Sequence, residues 1–224
     1  MRKLAIALVL SSMVLAVGCG DKAKVWRPAG SPEFIDLEGK KILIMPADMR
    51  YLPGDKLALS AALFGGFLAE FGSAAISLQP IQPALEQIML GDLSWMLARG
   101  LVHAAFFHNK AEWDACGGED YSVVPKLVKT LVEKVGELLG IPDLKFDYIA
   151  VLHIDSYGSP MPKMQKLRVI GGLYDPIKDE IVVAIDWTQT TAEDALLAEM
   201  AMLGPKAVKM MAGCDPSKKE EKAE

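Results

Sequence analysis

Apolar positions along this chain alternate between two rhythms: short unbroken or period-two runs, and longer stretches at helical spacing. Lys41 to Pro46 reads KILIMP, a continuous apolar run closed by proline, which predicts a buried central strand. Met49 to Asp55 is a turn-rich link around Pro53-Gly54. Leu57 to Phe71 carries apolar residues at 57, 61, 64, 67, 68 and 71, a helical stripe with Gly72 as its stop. Gly65 and Gly66 inside that helix cost ~1 kcal/mol each relative to alanine, which a close backbone approach to the sheet would offset. Ala75 to Pro80 alternates and predicts a second strand.

Pro83 opens a long helical stretch from Ala84 to about Trp113, interrupted at Gly91 and Gly100. Val123 to Leu139 is amphipathic, with Leu127, Val128, Leu131, Val135, Leu138 and Leu139 on one face, and Gly140-Ile141-Pro142 ends it. Asp147 to Ser156 predicts a strand, and Lys166 to Tyr174 pairs with Glu180 to Thr188 as a hairpin across residues 175–179. Thr190-Thr191-Ala192-Glu193 has the form of a capping box opening a helix to about Met211. The order β-α-β-α-α-β-β-β-α predicts an α/β fold, a mixed β-sheet backed by helices.

The amino terminus follows a different logic. Met1-Arg2-Lys3 is positively charged, and Leu4 to Val17 is apolar but for Ser11 and Ser12. A helix over that stretch rises roughly 21 Å, short of a hydrocarbon core of ~30 Å, which fits a cleaved signal better than a permanent span. Leu15-Ala16-Val17-Gly18-Cys19 resembles a bacterial lipobox, with small residues before a cysteine that would receive a diacylglycerol. The usual leucine three places before the cysteine is Ala16 here. The expected organisation is a lipoprotein signal peptide over 1–18, a lipidated tether over 19–39, one periplasmic α/β domain over 40–213 and a charged tail over 214–224. Acyl chains on Cys19 would hold the chain on a bacterial membrane, facing the periplasm. By resemblance to enterobacterial sorting rules, Gly20 rather than aspartate after Cys19 implies the outer membrane.

Composition narrows the functional classes. Of 224 residues, 51% are hydrophobic, and the net charge is −5. Loss of Arg2 and Lys3 with the signal takes that side-chain charge to about −7. The acidic balance lacks the basic stripe that nucleic-acid binding needs. Mean hydropathy of +0.23 reflects the leader in part. Of the three cysteines, Cys19 as an anchor leaves Cys116 and Cys214, a candidate disulfide in an oxidising compartment.

Several phrases carry a family likeness. They are the strand Ile42–Pro46, the helix Leu57–Phe71, the run Phe146-Asp147-Tyr148-Ile149-Ala150-Val151, and Leu173-Tyr174-Asp175 followed by Glu180-Ile181-Val182. Together they resemble the TolB N-terminal-like domain of periplasmic lipoproteins of the CsgG and LpoB type, over about residues 40 to 211. The likeness implies a non-enzymatic envelope component, and in some members a ring or pore.

Candidate chemistry is sparse. His103 and His108 are five apart, some 140° around a helix, which is not the spacing of a helical metal pair. His153 and Asp155 share a strand face as an orienting pair or half a metal site, or as polar residues that satisfy one another at a strand end. Cys116 near His103 and His108 is a candidate thiol nucleophile for a hydrolase or redox protein. Ser156 to Pro160 lacks a nucleophile elbow, and Gly171-Gly172 reads as a strand bulge rather than a phosphate loop. Trp95 to Phe107 clusters its apolar residues at helical spacing, against the ten-residue alternation of a pore strand. No cofactor or metal is implied. The expectation is a lipid-anchored, partner-binding or assembly protein of the cell envelope, with self-assembly open.

Overall fold

A computed structural model of the chain describes residues 23–28, 30–72, 75–78, 82–87, 123–141, 143–159 and 161–213. Its strands are β1 (Lys24–Trp26), β2 (Ile42–Ile44), β3 (Ala75–Ser77), β4 (Tyr148–Gly158), β5 (Met164–Asp175) and β6 (Glu180–Ala192). Its helices are α1 (Lys56–Phe71), α2 (Gln82–Gln87), α3 (Val123–Leu139) and α4 (Leu196–Ala212), the last preceded by a 3-10 turn over Glu193–Ala195. The strands form one mixed sheet in the order β1-β6-β5-β4-β2-β3. β2 pairs in parallel with both β3 and β4, while β4, β5, β6 and β1 pair antiparallel in turn. The chain steps outward from β2 to β3, then back past β2 to β4, so successive crossovers cover opposite faces.

Two cores result. On one face α1 and α4 bury Leu59, Leu63, Phe67, Leu203, Ala207 and Met211 against Ile44, Leu152, Val169, Ile185 and Trp187. On the other, Val128, Leu131 and Val135 of α3 pack on Leu43, Ile149, Val151 and Tyr174. The stripe of α3 is as its spacing predicts at these three positions, although Leu138 is 41% exposed.

The face of α1 matches its predicted stripe only in part: Phe67 and Phe71 are buried as expected, but Leu59 and Leu63 are buried beside them while Leu57 and Leu68 are exposed. A helix rich in apolar residues on every side gives little basis for choosing its inner face. Asp55 caps its start, accepting from the amides of Leu57 (2.9 Å) and Ala58 (3.3 Å), and Gly72 ends it at φ +74°.

Of the two glycines of α1, Gly66 serves a helix rather than the sheet, and Gly65 faces open space. A Cβ on Gly66 would lie 2.4 Å from the Ala201 carbonyl oxygen, and one on Gly204 would lie 2.7 Å from the Phe67 nitrogen. Together they let α1 and α4 meet backbone to backbone.

Other expectations change at the ends of elements. The capping box is absent: Thr190 and Thr191 lie in β6, and no side chain caps α4. The sheet continues through those residues because β5 and β6 stay paired from Met164–Ala192 to Asp175–Glu180. The register shift falls between Leu173 and Tyr174 rather than at Gly171-Gly172. The hairpin turn is as expected, with Asp175 Oδ1 accepting from the amides of Ile177 and Lys178.

The segment from Lys24 onward, expected as part of a tether, joins the fold. β1 pairs with Ala184–Asp186 of β6, and Ile35 and Leu37 are buried in the core. Arg27 Nη2 donates to the Met211 carbonyl at 2.7 Å, and the Ile35 amide donates to that of Ala212 at 2.8 Å. A hydrophobic pair spaced along a polar, proline-containing stretch lacks periodicity, so pattern alone misses it. Most of the stretch 84–113, including Trp95–Phe107, lies outside the described residues, as do the leader and the tail. Among the described residues no helix is long and apolar enough to cross a membrane.

Candidate functional site

On β4, side chains alternate between the two cores. Ile149 and Val151 face α3, so His153, Asp155 and Tyr157 continue that same face toward the end of the strand. Pro46 interrupts β2, but the chain rejoins β4 two residues later through a parallel bridge between Asp48 and His153. The Asp48 amide donates to the Leu152 carbonyl at 3.1 Å, and the Ile154 amide to that of Asp48 at 2.9 Å. These bonds bring a carboxylate from outside β4 onto the histidine.

His153 sits between two carboxylates. Its Nδ1 lies 3.1 Å from Asp48 Oδ2 and its Nε2 lies 2.9 Å from Asp155 Oδ2. Arg50 donates to Asp48 from its amide, its Nε and its Nη2, at 3.0 to 3.2 Å. The Tyr157 hydroxyl donates to Asp155 Oδ2 at 3.3 Å. Across the strand from Asp155, Arg168 makes a two-pronged contact with Asp186 at 3.1 and 2.7 Å. The result is a chain of alternating charge over β4, β5, β6 and the β2–α1 link.

The electrostatics follow from burial and pairing. Burial alone would lower the His153 pKa, but hydrogen bonds to Asp48 and Asp155 outweigh it and raise the value above the ordinary one. Burial alone would raise the Asp48 pKa; hydrogen bonds from His153 and Arg50 bring it down to about 2. Arg168 is raised by its bonds to Asp186.

This arrangement is an ionic clip. Both imidazole nitrogens face carboxylate oxygens, so as an imidazolium His153 presents no lone pair to a metal or to a proton that needs removing. Among the described residues no group of three or more histidines, cysteines or acidic residues could hold a metal ion. Of the readings open for His153 and Asp155, the geometry matches polar residues that satisfy one another, with Asp48 joining them as a second counter-ion. Cys19, Cys116 and Cys214 lie outside the described residues, as do His103 and His108.

Asp48 and Arg50 escape the sequence reading because parallel register places them, and no local pattern encodes it. Arg168 and Asp186 are more accessible to it: both belong to the predicted hairpin, on the face that His153 shares. A second feature, unanticipated, is a groove of about 460 Å³ at the starts of α1 and α4, lined by Pro53, Asp55, Ala58, Glu193, Leu196 and Leu197 among others.

No family model matches the sequence, and no curated protein matches it. The resemblance to the TolB-like domain therefore rests on the phrases quoted for it. Solved structures give distant likenesses. The PelC dodecamer from Paraburkholderia phytofirmans is 10% identical, with a TM-score of 0.44 over 87% of this chain and all of that one. The lipoprotein GNA1162 from Neisseria meningitidis is 12% identical, with a TM-score of 0.37 over 75% of this chain and 96% of that one.

Proposed function

We propose that this chain is a lipoprotein held on a bacterial membrane through Cys19, and a non-enzymatic component that binds or assembles other envelope proteins. The observation that carries the reading is the leader: a positive start, a short apolar run and small residues ending on Cys19. Two or more acyl chains on one residue anchor firmly, where a single chain holds only marginally. The non-enzymatic half is supported at the clip alone, where Asp48, His153 and Asp155 pair with one another, whereas a catalytic acid or base needs a free proton or lone pair aimed at a substrate.

The anchoring half is tested by expression in bacteria with a clickable fatty acid. Label should appear on the wild type and disappear in Cys19→Ala; an unlabelled wild type with a free Cys19 sinks it. The binding half is tested by crosslinking in intact envelopes, where a discrete higher-mass species is expected. Recovery of an uncrosslinked monomer alone would count against it. Sorting to the outer membrane, favoured by Gly20, predicts that the protein fractionates with that membrane on a density gradient.

A further inference from the structure

We infer that one end of the sheet, carrying the exposed side chains of Tyr51, Leu57, Met161 and Leu197, lies directly against the lipid bilayer surface. The inference deepens the proposed function and rests on Cys19 being the anchor. It starts from the register of β1, in which Lys24 stands opposite Asp186 and Trp26 opposite Ala184. The chain preceding Lys24 therefore leaves the sheet toward the end where β6 finishes at Ala192. Cys19 and Lys24 are separated by residues 20–23 only, so their Cα atoms are at most ~18 Å apart. From Asp186, β6 runs on to Ala192, which carries that end of the sheet about 20 Å past Lys24. A reach of that size cannot hold the domain off a membrane from which its own strands project as far.

The chemistry of that end suits a bilayer interface. β4 ends there and β5 begins there, and the parallel course of β2 and β4 brings the start of α1 to the same place. Tyr51 is 70% exposed, Leu57 73%, Met161 52% and Leu197 51%. These side chains belong to neighbouring segments. Leu197 lines the groove with Pro53 and Ala58, and the Glu193 amide donates to the Lys163 carbonyl at 3.0 Å, tying the turn that holds Met161 to the start of α4. Charges of both signs adjoin them: Lys56, Lys163 and Lys166 are set against Asp55, Glu193 and Asp194, and Arg50 beside Tyr51 is paired with Asp48. Insertion of apolar and aromatic side chains into the headgroup region, rather than attraction to anionic lipid, is the mode of contact.

The test uses the whole lipidated protein in zwitterionic vesicles containing a photoactivatable phospholipid, with adducts mapped by mass spectrometry. Adducts at Tyr51, Leu57, Met161 and Leu197 should exceed those at Ile177 and Leu138, at the opposite end, several-fold, and high salt should not change the pattern. Adducts concentrated on Ile177 and Leu138, or on Val25 at the sheet edge, or absent from the domain, overturn the inference. The double variant Leu57→Ser, Leu197→Ser changes exposed positions only; its thermal midpoint should hold while adducts at that end fall several-fold. Unchanged adducts would overturn the inference too. The same digest reads the mass of the Cys19 peptide. A free thiol there sinks the anchoring reading separately, leaving lipid contact to be judged by the adduct pattern of the same unlipidated protein.

Discussion

On one face of the sheet, α1 and α4 meet backbone to backbone through Gly66 and Gly204; on the other, α3 covers Ile149 and Val151 and the face then turns ionic around His153. The first face coheres by shape. Its contacts are dispersion and apolar burial, indifferent to pH, and intolerant of one added methyl group where the backbones touch. The second face coheres by charge as well. Its partners tolerate changes of volume better than changes of proton count.

The largest effect should come from filling the helix contact. A Cβ at Gly204 would stand 2.7 to 2.9 Å from the Phe67 nitrogen, the Gly66 carbonyl carbon and the Leu63 oxygen, all of them backbone atoms that cannot turn aside. Gly204→Val should destabilise by about 3 kcal/mol or more, seen as lost expression or a large drop in the denaturant midpoint. A wild-type midpoint would show that the helices can part freely, and that shape does not hold this face.

The ionic face should respond less and differently. Asp48→Asn keeps the volume but removes the charge that both Arg50 and His153 address. A loss of about 2–3 kcal/mol is expected by urea unfolding, since His153 is left with Asp155 as its one carboxylate and Arg50 loses the carboxylate it addresses three times.

The pH dependence has a defined sign. His153 is raised above its ordinary 6.5, so its contribution is fully present below that value and fades as pH rises through the raised one. Asp48 is lowered to about 2, so its contribution is present above 3.8 and fades only as pH falls toward 2. Stability should therefore decline from mildly acidic into alkaline pH, and His153→Gln should flatten that decline. A wild-type profile level on the alkaline side would remove the imidazolium from the account.

How much of this was legible depends on whether an interaction is local. The strands around Leu43 and Val151, the α3 stripe through Leu131 and the Asp175 turn all follow from spacing and turn chemistry, and the α/β class with them. The inner face of α1 follows only at Phe67 and Phe71; earlier in the helix Leu57 and Ala61 make as good a start to the stripe as Leu59 and Leu63. The choice is made by α4, over a hundred residues later. In the clip, His153 and Asp155 were visible as a pair two apart on one strand. Asp48 was not, since it arrives through a parallel bridge across 105 positions. Ile35 and Leu37 were hidden likewise in a stretch whose prolines and lysines suggested a tether.

The finest test of the shape-held face contrasts two neighbours. Gly65 and Gly66 are consecutive in α1, and sequence offers no reason to treat them differently. A Cβ on Gly65 would meet nothing within 4 Å, whereas one on Gly66 would press on the Ala201 oxygen at 2.4 Å and on Pro205 Cδ at 2.8 Å. Glycine within a helix costs about 0.5–1 kcal/mol relative to alanine, through the freedom it keeps in the unfolded chain. Gly65→Ala should therefore stabilise by that amount, a rise of a few degrees in the thermal midpoint. Gly66→Ala should lower the midpoint, because the added methyl must push α4 away before any entropy is recovered. If both substitutions stabilise, α1 and α4 are not in backbone contact, and the two faces of the sheet differ less than their geometry implies.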